Sequence, residues 1–320
     1  MSDEDLMVKL QGDKNFNPWL GQSDVWNQII KDGKFEQNCF VLDADKDSFE
    51  KANLKGAEVK RRLRGDILPQ PFVGNPAANV WVLMRNPGLG ALDYYDLVST
   101  ENWEDYRDGL VDEDWRPIDT NKLNFKDPEI AKVKLLDRQR KVIDQLTFNF
   151  ANARGKEFYL LDECFQTYDT TGAGRRIYGG RHWYQTYFCT DEVKAQRSKQ
   201  SDLSVLSRNV FVLDYCPYHS CFYQERRVKF AHMELWSRLI KYGLESKVLV
   251  VRGSDILNKV KKVDFDLYNQ AVSANRLFVF SGQNAWLTSG NLARPCSADC
   301  FRMLFDGDRN ESKLEATAED

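Results

Sequence analysis

An α/β fold with a central, mostly parallel sheet flanked by helices is the architecture this sequence predicts, and three observations predict it. Short apolar runs rich in β-branched and aromatic residues recur along the chain, segments of helical periodicity lie between several of them, and the first run stops abruptly at Asn-Pro-Gly. Continuous apolar runs suit strands covered on both faces, as in parallel sheets, whereas half-solvated strands alternate.

Residues 1–70 read as an N-terminal helical extension with a short amphipathic helix over 24–31. It ends in the basic segment Lys55-Gly56-Ala57-Glu58-Val59-Lys60-Arg61-Arg62-Leu63-Arg64. Such a run either touches phosphates or forms a solvated helix face. An α/β domain is predicted over 71–305, with a large insertion at about 96–205, followed by an acidic tail over 306–320.

The first strand is Val80-Trp81-Val82-Leu83-Met84, and it runs into Arg85-Asn86-Pro87-Gly88. Pro87 stops the ladder and Gly88 permits a tight turn. In open α/β sheets the carboxyl ends of the strands line the ligand crevice, so Asn86 sits where chemistry is expected. An ordinary strand exit is the competing reading. An irregular acidic and aromatic stretch follows, then a helix over 131–150 marked by Val133, Leu136, Val142, Ile143 and Leu146. Further strands are predicted at 158–161, 210–213, 248–251 and 277–280, with a helix at 228–242 among those between them. The stretch between Tyr168 and Arg197 is rich in glycine, arginine and aromatics, including Gly179-Gly180-Arg181-His182-Trp183-Tyr184. It fits a segment that follows a phosphate backbone, with Arg181 as a contact, and equally a surface loop.

Composition narrows the function classes. With 320 residues and 42% hydrophobic content the chain can bury a substantial core, and a formal charge of −3 provides no global basic field, so any nucleic-acid contact relies on a local patch. The seven cysteines, at 39, 164, 189, 216, 221, 296 and 300, form neither a disulfide framework nor a Cys-x-x-Cys pair, which points to a reducing compartment. The three histidines are too dispersed for a zinc cage, so neither a metal nor any other cofactor is expected. The acidic start has no apolar leader and no run approaches roughly 18 apolar residues, so a cytoplasmic location without membrane contact is expected. Oligomeric state is not readable.

The later strand reads Phe211-Val212-Leu213-Asp214-Tyr215-Cys216-Pro217. Together with Arg85-Asn86-Pro87-Gly88, it resembles the uracil-DNA glycosylase superfamily, in its single-strand-selective monofunctional and mismatch-specific branches. There the first strand ends in Gly-Met-Asn-Pro-Gly and a later one in a phrase like Phe-Val-His-Asn-Leu-Cys-Pro. Val248-Leu249-Val250-Val251 followed by Arg252-Gly253 also sits where that family has an apolar strand ending at a glycine. The resemblance covers residues 70–295 and implies a uracil-DNA glycosylase-like fold that binds DNA and cleaves the N-glycosidic bond of a flipped-out base.

By resemblance, the Asn86 carbonyl orients a water toward C1′, while Tyr94, Tyr95 and Tyr215 are candidates for stacking on the extruded base. Aromatics are also ordinary core residues. The family's DNA-clamping His-Pro-Ser or Asn-Pro-Ser-Gly loop has no exact counterpart. Ser281, Gln283 and Asn284 match it by distance from the last strand, and Ser289 and Asn291 by composition, with Arg294 following. With the clamp histidine missing, His219 or Asn284 is left as a donor for the leaving base.

Asp214 stands where relatives place an asparagine. An ionised carboxylate only accepts hydrogen bonds, which points to the amine of a cytosine-type base, such as the modified cytosines of some bacteriophage genomes, and to a defence role. The alternatives are that Asp214 caps a turn or pairs with Arg252. Tyr218-His219-Ser220 with Asp214 makes a poor hydrolase constellation, because adjacent residues diverge and no Gly-x-Ser-x-Gly elbow accompanies them. A non-catalytic nucleic-acid binder on the same fold is the main alternative, since fold alone does not carry activity.

Overall fold

Each central strand of the sheet is one of the apolar runs, and burial on both faces explains why they carry no polar alternation. A computed structural model describes residues 1–32, 38–53, 62–65, 67–85, 87, 127–149, 166–169, 176–179, 210–220, 228–280, 287–288 and 291–293. Among these residues a six-stranded sheet is built from β1 (Phe72–Val73), β2 (Val80–Met84), β5 (Val210–Asp214), β6 (Val248–Val251), β7 (Leu277–Phe280) and β8 (Leu292–Ala293). The spatial order is β1-β5-β2-β6-β7-β8. The four central strands run parallel, and the short edge strands β1 and β8 are antiparallel to their neighbours. β2 is central: Val80 registers with Val210 on one side and Val248 on the other. All five of its side chains are buried.

The predicted strands at 80–84, 248–251 and 277–280 are found at those bounds, and β5 runs one residue further than predicted, to Asp214. The predicted strand at 158–161 lies outside the described residues. Part of the glycine- and arginine-rich stretch forms a separate antiparallel pair, β3 (Gln166–Asp169) with β4 (Arg176–Gly179), instead of an irregular segment.

Among the described residues three α-helices precede the sheet: α1 (Asp3–Gly12), α2 (Ser23–Asp32) and α3 (Lys46–Asn53). α1 starts at a capping box in which the Ser2 hydroxyl accepts from the Asp5 amide and the Asp5 carboxylate accepts from the Ser2 amide, each at 3.0 Å. Leu6, Leu10, Trp19, Trp26 and Ile30 enter the same continuous core as Trp81 and Phe211. Asn17, fully buried, donates to the carbonyls of Leu10 (2.8 Å) and Leu146 (2.9 Å). α1 and α2 therefore share the sheet's core, whereas Phe49 and Ala52 of α3 pack in a second cluster with Tyr218 and Phe230.

α4 (Pro128–Leu146) begins three residues before the predicted helix because Asp127 accepts from the Glu129 and Ile130 amides and Pro128 follows in the first turn. It ends early because Phe148 takes φ 53° and stacks on Phe72 at 4.5 Å. Val142, Ile143 and Leu146 are buried as the periodicity predicts, whereas Val133 is exposed. Gln145 exchanges two hydrogen bonds with the Gly74 backbone, at 2.8 and 3.0 Å. This part of the predicted insertion thus packs against β1 as a crossover helix of the fold.

α5 (His232–Ser246) joins β5 to β6 and starts four residues later than predicted. Its preceding turn is held by Asp45, which accepts from the Ala231 amide, and by Phe230, packed edge-on against Tyr218 at 5.3 Å. α6 (Ser254–Val263) and α7 (Phe265–Ser273) lead from β6 to β7. Among the described residues no helix is long and apolar enough to cross a membrane.

Candidate functional site at the carboxyl end of the sheet

Taken in chain order, the central parallel strands lie second, first, third, fourth across the sheet. The connection from β2 goes to one side and the later ones to the other, so the topological switch point lies at the carboxyl ends of β2 and β6, where open α/β sheets bind their ligands. Hydrogen bonding continues past the strands here. The Tyr215 amide donates to the Met84 carbonyl (3.1 Å), the Cys216 amide to the Arg85 carbonyl (2.8 Å) and the Arg252 amide to the Leu83 carbonyl (2.9 Å). The exits of β5, β2 and β6 are thereby joined. Asn86 lies outside the described residues, between Arg85 and a buried Pro87.

Asp214 closes β5 and is 3% exposed. Its amide donates to the Pro71 carbonyl at 2.7 Å, its carbonyl accepts from His232 Nε2 at 2.9 Å, and its Oδ1 is buried with no hydrogen-bond partner. Burial holds the carboxyl well above the usual carboxylate range, opposed by the positive charge of Arg252. Burial thus shifts Asp214 toward the neutral acid, which has one O–H to donate as well as oxygen to accept, and away from the ionised, acceptor-only form expected from the sequence. Oδ1 caps no turn, and the positive charge of Arg252 acts on this carboxyl.

His232, fully buried, lies near the rings of Trp19 and Phe72, with centroids at 5.8 and 6.4 Å. Nε2 faces a carbonyl and so carries the proton, leaving Nδ1 as an unpartnered acceptor. Burial lowers its pKa from 6.5 to about 4, with the hydrogen bond to Asp214 opposing. The unfolded chain takes up this proton first, so the His232 contribution to stability is full above about pH 6.5 and is lost as pH falls toward 4. We expect His232→Gln, which keeps a donor near the carbonyl, to remove this acid sensitivity, worth up to about 1.4 kcal/mol per pH unit in wild type. Urea midpoints of both proteins at pH 7 and pH 5 check it; an equal drop in both would exclude His232 as the source.

Behind the β5 exit, Tyr218 donates to Asp45 at 2.7 Å, and Asp45 also receives the Ala231 amide. Burial raises the Asp45 carboxyl and, more strongly, the Tyr218 phenol, the latter also through the neighbouring Asp45. This buried triad ties residues 214–220 to the start of α5.

The remaining predicted residues fall into three groups. The Tyr215 ring lies under Lys259 Nζ at 4.3 Å and packs perpendicular to Trp236 at 5.1 Å, so it is already used within the fold. His219 is buried, with Nε2 3.1 Å from the Leu68 carbonyl, and an N–H spent on that carbonyl is not available to a leaving base. Asn291 is partly buried and its amide donates to Thr288 at 3.1 Å. Because Leu292 registers with Phe280, the connection from β7 to β8 leaves and re-enters the sheet at its carboxyl end. Asn291 therefore lies at the carboxyl end of the sheet, with β7, β6 and β2 between it and the strand that ends in Asp214. Tyr94, Tyr95, Arg181, Ser281, Gln283, Asn284, Ser289 and Arg294 lie outside the described residues.

Four participants escaped sequence reasoning. Asp45 and His232 carry no local signal, since their partners are 173 and 18 residues away. Arg85 and Asp255 form an ion pair with Nη2 to Oδ1 at 2.9 Å, and a charge directly at each strand exit was a signal that could have been read. Among the described residues no group of three or more His, Cys, Asp or Glu is placed to hold a metal ion. No protein-family model, curated protein or solved structure matches this chain, so its description rests on its own geometry.

Proposed function

We propose that this chain is a divergent member of the uracil-DNA glycosylase superfamily, a monofunctional DNA glycosylase. It would cleave the N-glycosidic bond of a flipped-out base, a modified cytosine or uracil, and leave an abasic site. The observation that supports the reading is the joining of the β2 and β5 exits, which ties Arg85, the residue before the Asn-Pro-Gly motif, to the strand that ends in a buried carboxyl with an unused oxygen.

Cleavage builds positive charge on the sugar and negative charge on the departing base, so positioned dipoles lower the barrier. Asn86 would orient the attacking water; an amide is a poor general base, so positioning dominates over proton abstraction. Asp214 as the neutral acid pairs with a base edge that offers one donor beside one acceptor. The amino group and N3 of cytosine form such an edge, left open by substituents at C5, and N3–H with O4 of uracil forms its mirror. Both substrates therefore suit the acid form. A modified cytosine connects the activity to defence against foreign DNA.

The test incubates the protein with single- and double-stranded DNAs carrying uracil, mismatched thymine or modified cytosines, then identifies any freed base by mass spectrometry and counts alkali-labile sites. A released base with a matching abasic site is expected. Binding without release would establish a non-catalytic binder, and absence of both would overturn the DNA reading.

A further inference from the structure

We infer that the Arg85–Asp255 ion pair is a positioning clamp that spans the switch point and fixes the β2 exit at Arg85, the residue before Asn86, without touching substrate. The inference rests on the glycosylase reading for its consequence, not for its geometry.

Arg85 donates twice from Nε, at 3.1 Å to each Asp255 oxygen, and again from Nη2 to Oδ1 at 2.9 Å. A fork held this way fixes direction as well as distance. Arg85 belongs to the exit of β2 and Asp255 to the first turn of α6, so the pair bridges the two sides of the switch point. The backbone beneath is shaped for it. Gly253 has φ 94°, and a Cβ there would lie 2.7 Å from Asp255 Oδ1 and 2.9 Å from Arg85 Nη2. A Cβ there would push the two side-chain ends aside, and the positive φ itself favours glycine.

Arg85 is also fixed on its other flank, where its carbonyl accepts from the Cys216 amide at 2.8 Å. The residue before Asn86 is thus tied to both neighbouring strand exits, and the residue after it, Pro87, is buried. With side chains 46% and 23% exposed, the pair adds little to global stability. Its value lies in orientation, because a displacement of about 1 Å at a reacting group can lower a rate about a hundredfold.

The test compares wild type with Arg85→Ala, Asp255→Ala and the double variant in single-turnover base release, in affinity for the same DNA, and in amide exchange over residues 85–88 and 214–217. Each single variant is expected to slow release at least about tenfold with affinity within about threefold, and the double variant to be no slower than the worse single. Exchange over both segments should quicken by about tenfold, while the urea midpoint stays near wild type.

Unchanged exchange in both single variants would overturn the clamp whether or not the protein has activity. Additive losses in the double variant would overturn it too. Loss of affinity in Arg85→Ala alone, with a shallower salt dependence, would make Arg85 a phosphate contact instead. If wild type releases no base while exchange responds as expected, the clamp stands and the glycosylase reading falls.

Discussion

Asn86→Ala is expected to lower single-turnover base release by about two to three orders of magnitude while DNA affinity stays within a few-fold of wild type. An interaction used only as the sugar cation forms contributes to the rate and not to ground-state binding, which gives this signature. Stability should barely change, because the residue follows the last ladder position of β2 and the strand's core side chains are untouched. Quench-flow measurement of abasic sites, with affinity read by fluorescence anisotropy, separates the two effects. A variant that binds poorly yet turns over normally once saturated would assign Asn86 to binding.

The second large effect is a pH dependence carried by Asp214. Both pyrimidine edges present an acceptor that needs the carboxyl O–H, so wild-type base release should fall about tenfold per pH unit once pH exceeds the carboxyl's raised pKa. Asp214→Asn keeps a donor and an acceptor with nothing to titrate, so its profile should lack that alkaline limb. Stability moves the same way. A carboxyl whose folded pKa is raised contributes fully below its ordinary value of 3.8, and the contribution is lost as pH rises through the folded value. The asparagine variant should therefore gain on wild type in urea midpoint as pH increases. An unaltered alkaline limb in the variant would remove Asp214 from base recognition.

The sheet was legible because its central strands sit in the interior as runs of apolar residues, broken only by Asp214 at the end of β5, a pattern independent of what pairs with what. Val80, Val248 and Leu277 each open a run that needs no knowledge of its neighbours. Helix ends were less legible, since they depend on distant groups: α5 is delayed by the Asp45 carboxylate, and α4 is cut short by Phe148 turning toward Phe72. At the site, sequence placed Asp214 at a strand exit but not its protonation. That state depends on burial among β1, β2 and α5, which one-dimensional pattern does not contain. Tyr215 read as a stacking partner and His219 as a donor in place of the missing clamp histidine, and in the fold they face Trp236 and the Leu68 carbonyl, contacts that sequence alone does not reveal.

The place of β2 at the centre of the sheet bears on how the chain is made. Its Val80 partners Val210 and Val248, so this wholly apolar strand leaves the ribosome long before either neighbour exists. At ordinary synthesis rates the roughly 170 residues up to Val248 take about 10–35 s, during which its edges are open to other chains. The nascent protein should therefore depend on holdase chaperones, and its yield should fall when translation is slowed between β2 and β6.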